Sequence, residues 1–146
     1  MINKILIALA LVLISFSGYC QKNVAGLFDE YGKEDNITKV KLDENTISMA
    51  KPYLGDMKIE SVEVLEMSKC NDELKSKVTE SIKKFKDENY ETIVSANENG
   101  HSTKVLILID KDVIRELVVL HSETPALVWV KGEIKQSDIQ KITASL

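Results

Sequence analysis

The sequence predicts an α+β domain in which helices pack on a mostly antiparallel sheet that ends in a four-strand meander. In the first part of the chain, three segments space their apolar residues as helices do. From about residue 90 the apolar period changes from 3.6 to 2, as half-buried strands require. Short polar turns separate these later strands, which favours antiparallel neighbours over crossover connections.

The first 20 residues have the three-part layout of a secretory signal peptide. Lys4 is the only charged residue there, residues 5–14 (ILIALALVLI) are uniformly apolar, and the short segment SFSGYC follows. An apolar run of this length spans only about 15 Å as a helix, half of a bilayer core, so we expect no transmembrane anchor. We therefore predict that residues 1–20 are a leader and that residues 21–146 form one globular domain in the periplasm or cell envelope.

Three fates are open for the end of the leader. Leader peptidases prefer small residues three positions and one position before the cut, and cleavage between Cys20 and Gln21 places Gly18 and Cys20 there. Cleavage after Gly18 is the next possibility. Acylation of Cys20 would make the protein a membrane-associated lipoprotein, but Tyr19 is bulky where a lipobox has a small residue. Retention of the leader is the third. We expect cleavage that leaves Gln21 first, and we disfavour the lipid anchor.

The composition of residues 21–146 argues against a nucleic-acid partner and against a disulfide. Without Lys4, 18 basic residues stand against 23 acidic ones, a net charge of −5. This balance argues against a nucleic-acid partner, which would favour a basic face. Removal of Cys20 leaves Cys70 without a partner, so we expect no disulfide and a packed rather than reactive Cys70 thiol.

The first helix is predicted over residues 23–31, where apolar residues recur at i, i+3, i+4 and i+7. Residues 37–42 (ITKVKL) alternate in polarity and predict a strand. Asp43 is placed to cap a helix over residues 44–51. That helix is expected to stop before Pro52, because proline has no N–H for an interior helical hydrogen bond.

A strand and the clearest helix of the chain follow. The apolar phase of residues 58–67 slips by one position, which predicts a bulge or burial on both faces. Residues 72–87 form a helix capped by Asn71, with acidic residues in the first turn and lysines near the end, as the helix dipole favours. Its narrow apolar stripe predicts packing against the sheet.

The meander occupies most of the remaining chain. Asn99 and Gly100 tolerate the positive φ angles of a tight hairpin turn. Residues 105–109 are apolar at every position, which is typical of a strand that is covered on both faces or has one face at an interface. A last helix is predicted near the end, where Ser137 and Gln140 have the spacing of a capping box.

No segment carries a recognisable catalytic or cofactor-binding signature. Phosphate-binding glycine loops, paired-histidine zinc helices and serine nucleophile elbows are absent from the sequence. His101 and Ser102 are adjacent on a predicted strand and so point to opposite faces, which excludes a catalytic pair. His121 ends a strand, and Trp129 is expected in the core. We predict no catalytic residue, cofactor or metal.

Five segments together carry a resemblance to a known protein family: LFDEYGKEDNITKVKL, IESVEVLEMSKCNDELKSKV, NYETIVSANENG, IRELVVL and ALVWVKGEI. Together they resemble a family of small exported Bacteroidetes proteins filed as domain of unknown function 4252, over most of residues 24–146. The resemblance implies an exported protein with a leader, which in some members carries a lipoprotein cysteine, and a single domain. It implies no reaction and no active-site residues.

Two classes of function are compatible with the sequence. The first is a non-catalytic envelope domain that binds another macromolecule, an envelope protein above all, through a sheet edge, with envelope-stress signalling as one form. The second is a small periplasmic hydrolase whose carboxylates are brought together by folding. The second requires a concave pocket that holds at least two acidic or histidine side chains. The oligomeric state is left open.

Overall fold

The computed structural model describes residues 23–54, 58–122 and 126–139. The predicted leader, its cleavage site at Cys20 and Gln21, and Gln140 of the predicted capping box lie outside these residues. The described helices are α1 (Val24–Gly32), α2 (Glu44–Leu54) and α3 (Asp72–Lys84), and a further helical segment begins at residue 136. The strands are β1 (Thr38–Leu42), β2 (Lys58–Glu66), β3 (Glu91–Glu98), β4 (His101–Asp110), β5 (Val113–His121) and β6 (Ala126–Ile134).

The six strands form one antiparallel sheet in the order β1-β2-β6-β5-β4-β3. Strands β3 to β6 are consecutive neighbours and form the predicted meander, while β2 pairs with the free side of β6. The α+β class and the four-strand meander are thus confirmed. Within the described part of the chain, the two outermost strands, β1 and β3, each have only one neighbour in the sheet.

The central strands of the sheet carry buried apolar side chains on both faces. One face, which we call face A, packs against the apolar sides of α1 and α3, and the opposite face B carries a second apolar cluster that includes Ile139. Strand β2 supplies Leu65 to face A and Val62 and Val64 to face B. A register shift against β6 also lies between Ile59 and Ser61. The slipped apolar phase of this strand therefore reflects both predicted causes.

The C-terminal ends of α2 and α3 differ from those predicted from the sequence. The prediction that the second helix ends before Pro52 is wrong, because α2 continues through Pro52 to Leu54. The proline lies in the last turn and is exposed, so little of the helix depends on the hydrogen bond that it removes. Helix α3 ends at Lys84, three residues early, where the Lys104 ammonium donates to the carbonyls of Lys83 and Phe85, each at 2.9 Å.

Two hairpin turns of the meander have positive φ angles. Asn99 and Gly100 have φ angles of 52° and 79°, which confirms the predicted turn. Lys111 and Asp112 have φ angles of 52° and 65° and join β4 to β5 in the same manner without glycine. This second turn has no strong residue signal, and the tight pairing of the two strands imposes it.

Candidate functional site

A cleft of about 560 Å³ lies on face A, beside the start of α1. Its floor is built by three adjacent strands, since Leu108, Glu116 and Lys131 stand side by side in the register of β4, β5 and β6. Its rim is formed by the start of α1, the segment before β3 and the end of β4. The lining residues are Asn23, Val24, Ala25, Asp87, Asn89, Tyr90, Leu108, Ile109, Asp110, Glu116, Trp129 and Lys131.

Asp87 connects two walls of this cleft. One of its carboxylate oxygens accepts a hydrogen bond from the backbone N–H of Val24 at 3.0 Å, and the other accepts from the N–H of Asn89 at 3.0 Å. The Asn23 side chain caps the same end of α1 by accepting from the Gly26 N–H at 2.7 Å. Asp87 thus holds the chain before β3 against the first turn of α1.

Trp129 forms the aromatic part of the floor. Its ring lies 5.3 Å from the ring of Phe28, and the Lys131 ammonium is 4.3 Å from the ring centroid, within cation–π range. The indole N–H donates to a carboxylate oxygen of Glu116 at 2.7 Å. Trp129 therefore packs against the face A core, as predicted, and also lines a cleft, which its position among apolar residues did not reveal.

Tyr90 stands on the rim beside Glu116. Burial, together with the nearby Glu116 carboxylate, raises the pKa of the Tyr90 hydroxyl well above its usual range. The phenol consequently keeps its proton at neutral pH. The indole N–H of Trp129 orients the Glu116 carboxylate in the cleft.

The lining of the cleft is acidic. Three carboxylates, those of Asp87, Asp110 and Glu116, face one ammonium, that of Lys131, so the lining carries net negative charge. Its lining includes no serine, threonine, cysteine or histidine. In residues 23–54, 58–122 and 126–139, no group of three or more histidine, cysteine or acidic side chains is arranged to hold a metal ion.

The two histidines come closer together than their sequence positions suggest. His101 and His121 both line a pocket of about 120 Å³ on face B, together with Glu98 and Thr103, and the His121 Nδ1 atom lies 2.7 Å from the Thr103 hydroxyl. Ser102 points to the other face, where it is buried and donates to the side-chain oxygen of Asn97 at 2.6 Å. The structure agrees that His101 and Ser102 form no catalytic pair.

Cys70 is a packed residue, as predicted. It is buried in the face A core, and its thiol lies 3.7 Å from the backbone carbonyl of Asn36. Burial raises the pKa of the Cys70 thiol, which keeps it protonated and weakly nucleophilic. No feature of its surroundings indicates a reactive thiol.

The outer edge of β3 is the second candidate surface. All eight residues of β3 are exposed, including Ile93 and Val94 at 42% and 43%. Natural edge strands are commonly protected from pairing by charged side chains, above all lysine, by proline, by β-bulges or by a covering element. The opposite edge, β1, carries Lys39 and Lys41, whereas β3 contains neither lysine nor proline.

Comparison with known proteins identifies a family but no function. The model of the family described as Domain of unknown function (DUF4252) matches residues 31–142, which agrees with the resemblance seen in the sequence. No curated protein and no solved structure matches the chain significantly. No helix in the described part of the chain has the length and the apolar composition needed to cross a bilayer.

Proposed function

The chain belongs to the DUF4252 family, and we propose that it is a non-catalytic, exported domain of the cell envelope that binds another protein by strand addition at β3. The observation that carries this proposal is the edge itself. Among the described residues, strand β3 pairs only with β4, is exposed at every residue and contains no lysine or proline. In strand addition, backbone hydrogen bonds supply affinity and the alternating side chains supply specificity.

The register of the β3–β4 hairpin identifies the backbone groups that a partner would use. Glu98 and His101 close a two-residue turn, and such a closing pair exchanges its hydrogen bonds inside the hairpin. Because the direction of the peptide groups alternates along a strand, the N–H and C=O groups of Ser95 and Asn97 point away from β4. The Asn97 side chain is already bonded to Ser102, so Ser95 is the better position for a test.

The alternative function, a small periplasmic hydrolase with a carboxylate-based site, retains one supporting observation. The cleft on face A holds more than one acidic side chain, as such a site requires. However, Asp87 is engaged by two backbone N–H groups and Glu116 by the indole of Trp129. Both carboxylates therefore stabilise the local structure. For this reason the hydrolase is less well supported than partner binding at the exposed edge of β3.

Proline at position 95 is expected to weaken partner binding about fivefold or more, since it removes one outward N–H group. Position 95 suits proline because an edge strand tolerates the loss of an outward donor. A photo-crosslinking side chain at position 94, introduced into the protein in its native envelope, should capture one reproducible protein. The yield of that product should fall with Ser95→Pro.

Ser95→Ala is the matched control, because it changes the same side chain and keeps the N–H group. Ser95→Ala should leave the crosslinked product unchanged, and a thermal melt should verify that both variants are folded. The same photo-crosslinker at Val40 on β1 should not yield the product. Recovery of the uncrosslinked monomer alone, or equal yields from Ser95→Pro and Ser95→Ala, would contradict strand addition at β3.

Export can be tested by the intact mass of the protein recovered from its native envelope. We expect a mass that corresponds to a chain beginning at Gln21 without acyl groups, since the leader layout and Tyr19 favour simple cleavage. The same spectrum reports any adduct on Cys70. A diacylated or triacylated chain beginning at Cys20 would show a lipoprotein, and recovery of the full-length chain from the cytoplasm would refute export.

A further inference from the structure

We propose that the strand which pairs with β3 is basic at both ends and apolar between them, with its four recognised side chains at alternate positions. This inference rests on the proposed function, because it specifies the chemistry of the partner that β3 accepts. It follows from the charges and the register of β3, and it commits to a segment of a different protein rather than a second copy of this chain.

The edge carries acidic residues at both ends and no basic residue. Residues 87–100 contain four acidic residues and no lysine, arginine or histidine. Glu91 and Glu98, the first and last residues of β3, are exposed and form no ion pair with another described residue. Opposite charges on adjacent strands stabilise a pairing, and like charges destabilise it.

The bulge in β3 determines where these two charges lie. In a regular strand, residues an odd number of positions apart point to opposite faces. The register shift between Thr92 and Val94 adds one residue, so Glu91 stands opposite Ile107 and Glu98 stands opposite His101. Both partners belong to the set of β4 residues that face side B. Glu91 and Glu98 therefore share face B, about 20 Å apart along the neighbouring strand.

Two small or apolar side chains separate the glutamates on this face. Val94 stands opposite Val105, and Ala96 stands opposite Thr103, so face B of β3 reads acidic, apolar, apolar, acidic. The complementary face of an added strand has basic residues at positions i and i+6 and apolar residues at i+2 and i+4. Because both ends of β3 are acidic, such a strand fits in the parallel and in the antiparallel direction.

A second copy of the chain fits this edge poorly. If two β3 strands paired antiparallel in full register, Glu91 of each would stand opposite Glu98 of the other. The like-charged pair would occur twice, by symmetry, at both ends of the pairing. The cleft that begins beside Tyr90 extends the negative charge beyond the first residue of β3, since its lining includes Asp87 and Asp110.

The test compares two short synthetic peptides by NMR titration of the isotope-labelled exported protein, a method that detects weak binding. One peptide has lysines at i and i+6 and valines at i+2 and i+4, and the control has glutamates in place of the lysines. We expect the lysine peptide to bind about three- to tenfold more tightly and to shift the amide signals of Ser95 and Asn97. The preference should vanish at about 1 M salt and in the Glu91→Gln, Glu98→Gln double variant.

The outcomes separate this inference from the proposed function. Equal affinity for the two peptides, or a preference that persists in the double variant, overturns the basic partner strand and leaves edge pairing intact. Lack of binding by either peptide also overturns it, and the crosslinking from position 94 then decides the proposed function independently. Concentration-dependent self-association that Ser95→Pro abolishes would identify a second copy as the occupant and overturn this inference.

Discussion

Replacing Gly132 with alanine is expected to lower the free energy of unfolding by about 3–5 kcal/mol. Gly132 has a φ angle of 157°, and a Cβ atom there would lie 2.1 Å from the carbonyl oxygen of Lys58 and 2.9 Å from the Cα atom of Ile59. Both neighbours are backbone atoms of β2, so a side-chain rotation cannot relieve the overlap. The substitution forces β2 away from β6 at the bulge between Ile59 and Ser61.

Thermal unfolding of the folded chain measures this effect, and a fall in Tm of about 10–15 °C is expected. Gly32→Ala is the control, because the nearest atom to its added Cβ is the flexible Lys39 ammonium at 3.6 Å. In a helix that substitution should change stability by less than about 1 kcal/mol. If Gly132→Ala and Gly32→Ala melt at the same temperature, the close approach of β2 to Gly132 is wrong.

Replacing Phe28 with alanine is expected to lower the free energy of unfolding by about 3–5 kcal/mol as well, through the cavity that it leaves. Phe28 is only 1% exposed and joins α1 to the face A core. Its ring also supports Trp129, which forms the floor of the cleft. The variant should therefore disturb the cleft in addition to the core.

Chemical denaturation gives the stability change, and Trp129 gives a second measurement because it is the only tryptophan in the chain. Loss of the ring beside it should shift the native emission spectrum before any unfolding occurs. Met49→Ala on α2 removes a large apolar side chain that is 81% exposed, so it should cost less than about 0.5 kcal/mol. A Phe28→Ala protein as stable as Met49→Ala would exclude the packing described for α1.

Much of the fold could be predicted because several signals are local. Asn23 and Asn71 cap α1 and α3 through hydrogen bonds to residues three positions ahead, and the Asn99-Gly100 dipeptide forms its turn within itself. The end of α3 was predicted three residues too late, and in the structure its last carbonyls accept hydrogen bonds from Lys104, a residue on a distant strand. The turn at Lys111 and Asp112 could not be predicted in this way, because strand pairing there overrides residue preference.

The candidate sites depend still more on distant residues. The charge and composition of β3 could be read along the chain, but its edge position arises only when β2 joins β6 and leaves β3 outermost. The cleft joins residues from α1, the segment before β3 and three strands, and no two of its acidic residues are neighbours in sequence. The acidic residues of the cleft are visible in the sequence, but the sequence does not indicate that they lie close together.

Taken alone, the sequence determined the apolar periodicity, the caps, the Asn99-Gly100 turn and the pattern of an α+β domain, because each of these depends on residues within a few positions of one another. It also supplied the family resemblance that the comparison confirmed. Only the tertiary structure decided which strands are edges, that the bulge turns Glu91 and Glu98 to one face, and that Trp129 meets Glu116 at a cleft. These features depend on strand order and register, which are set by long-range pairing and packing of the whole sheet.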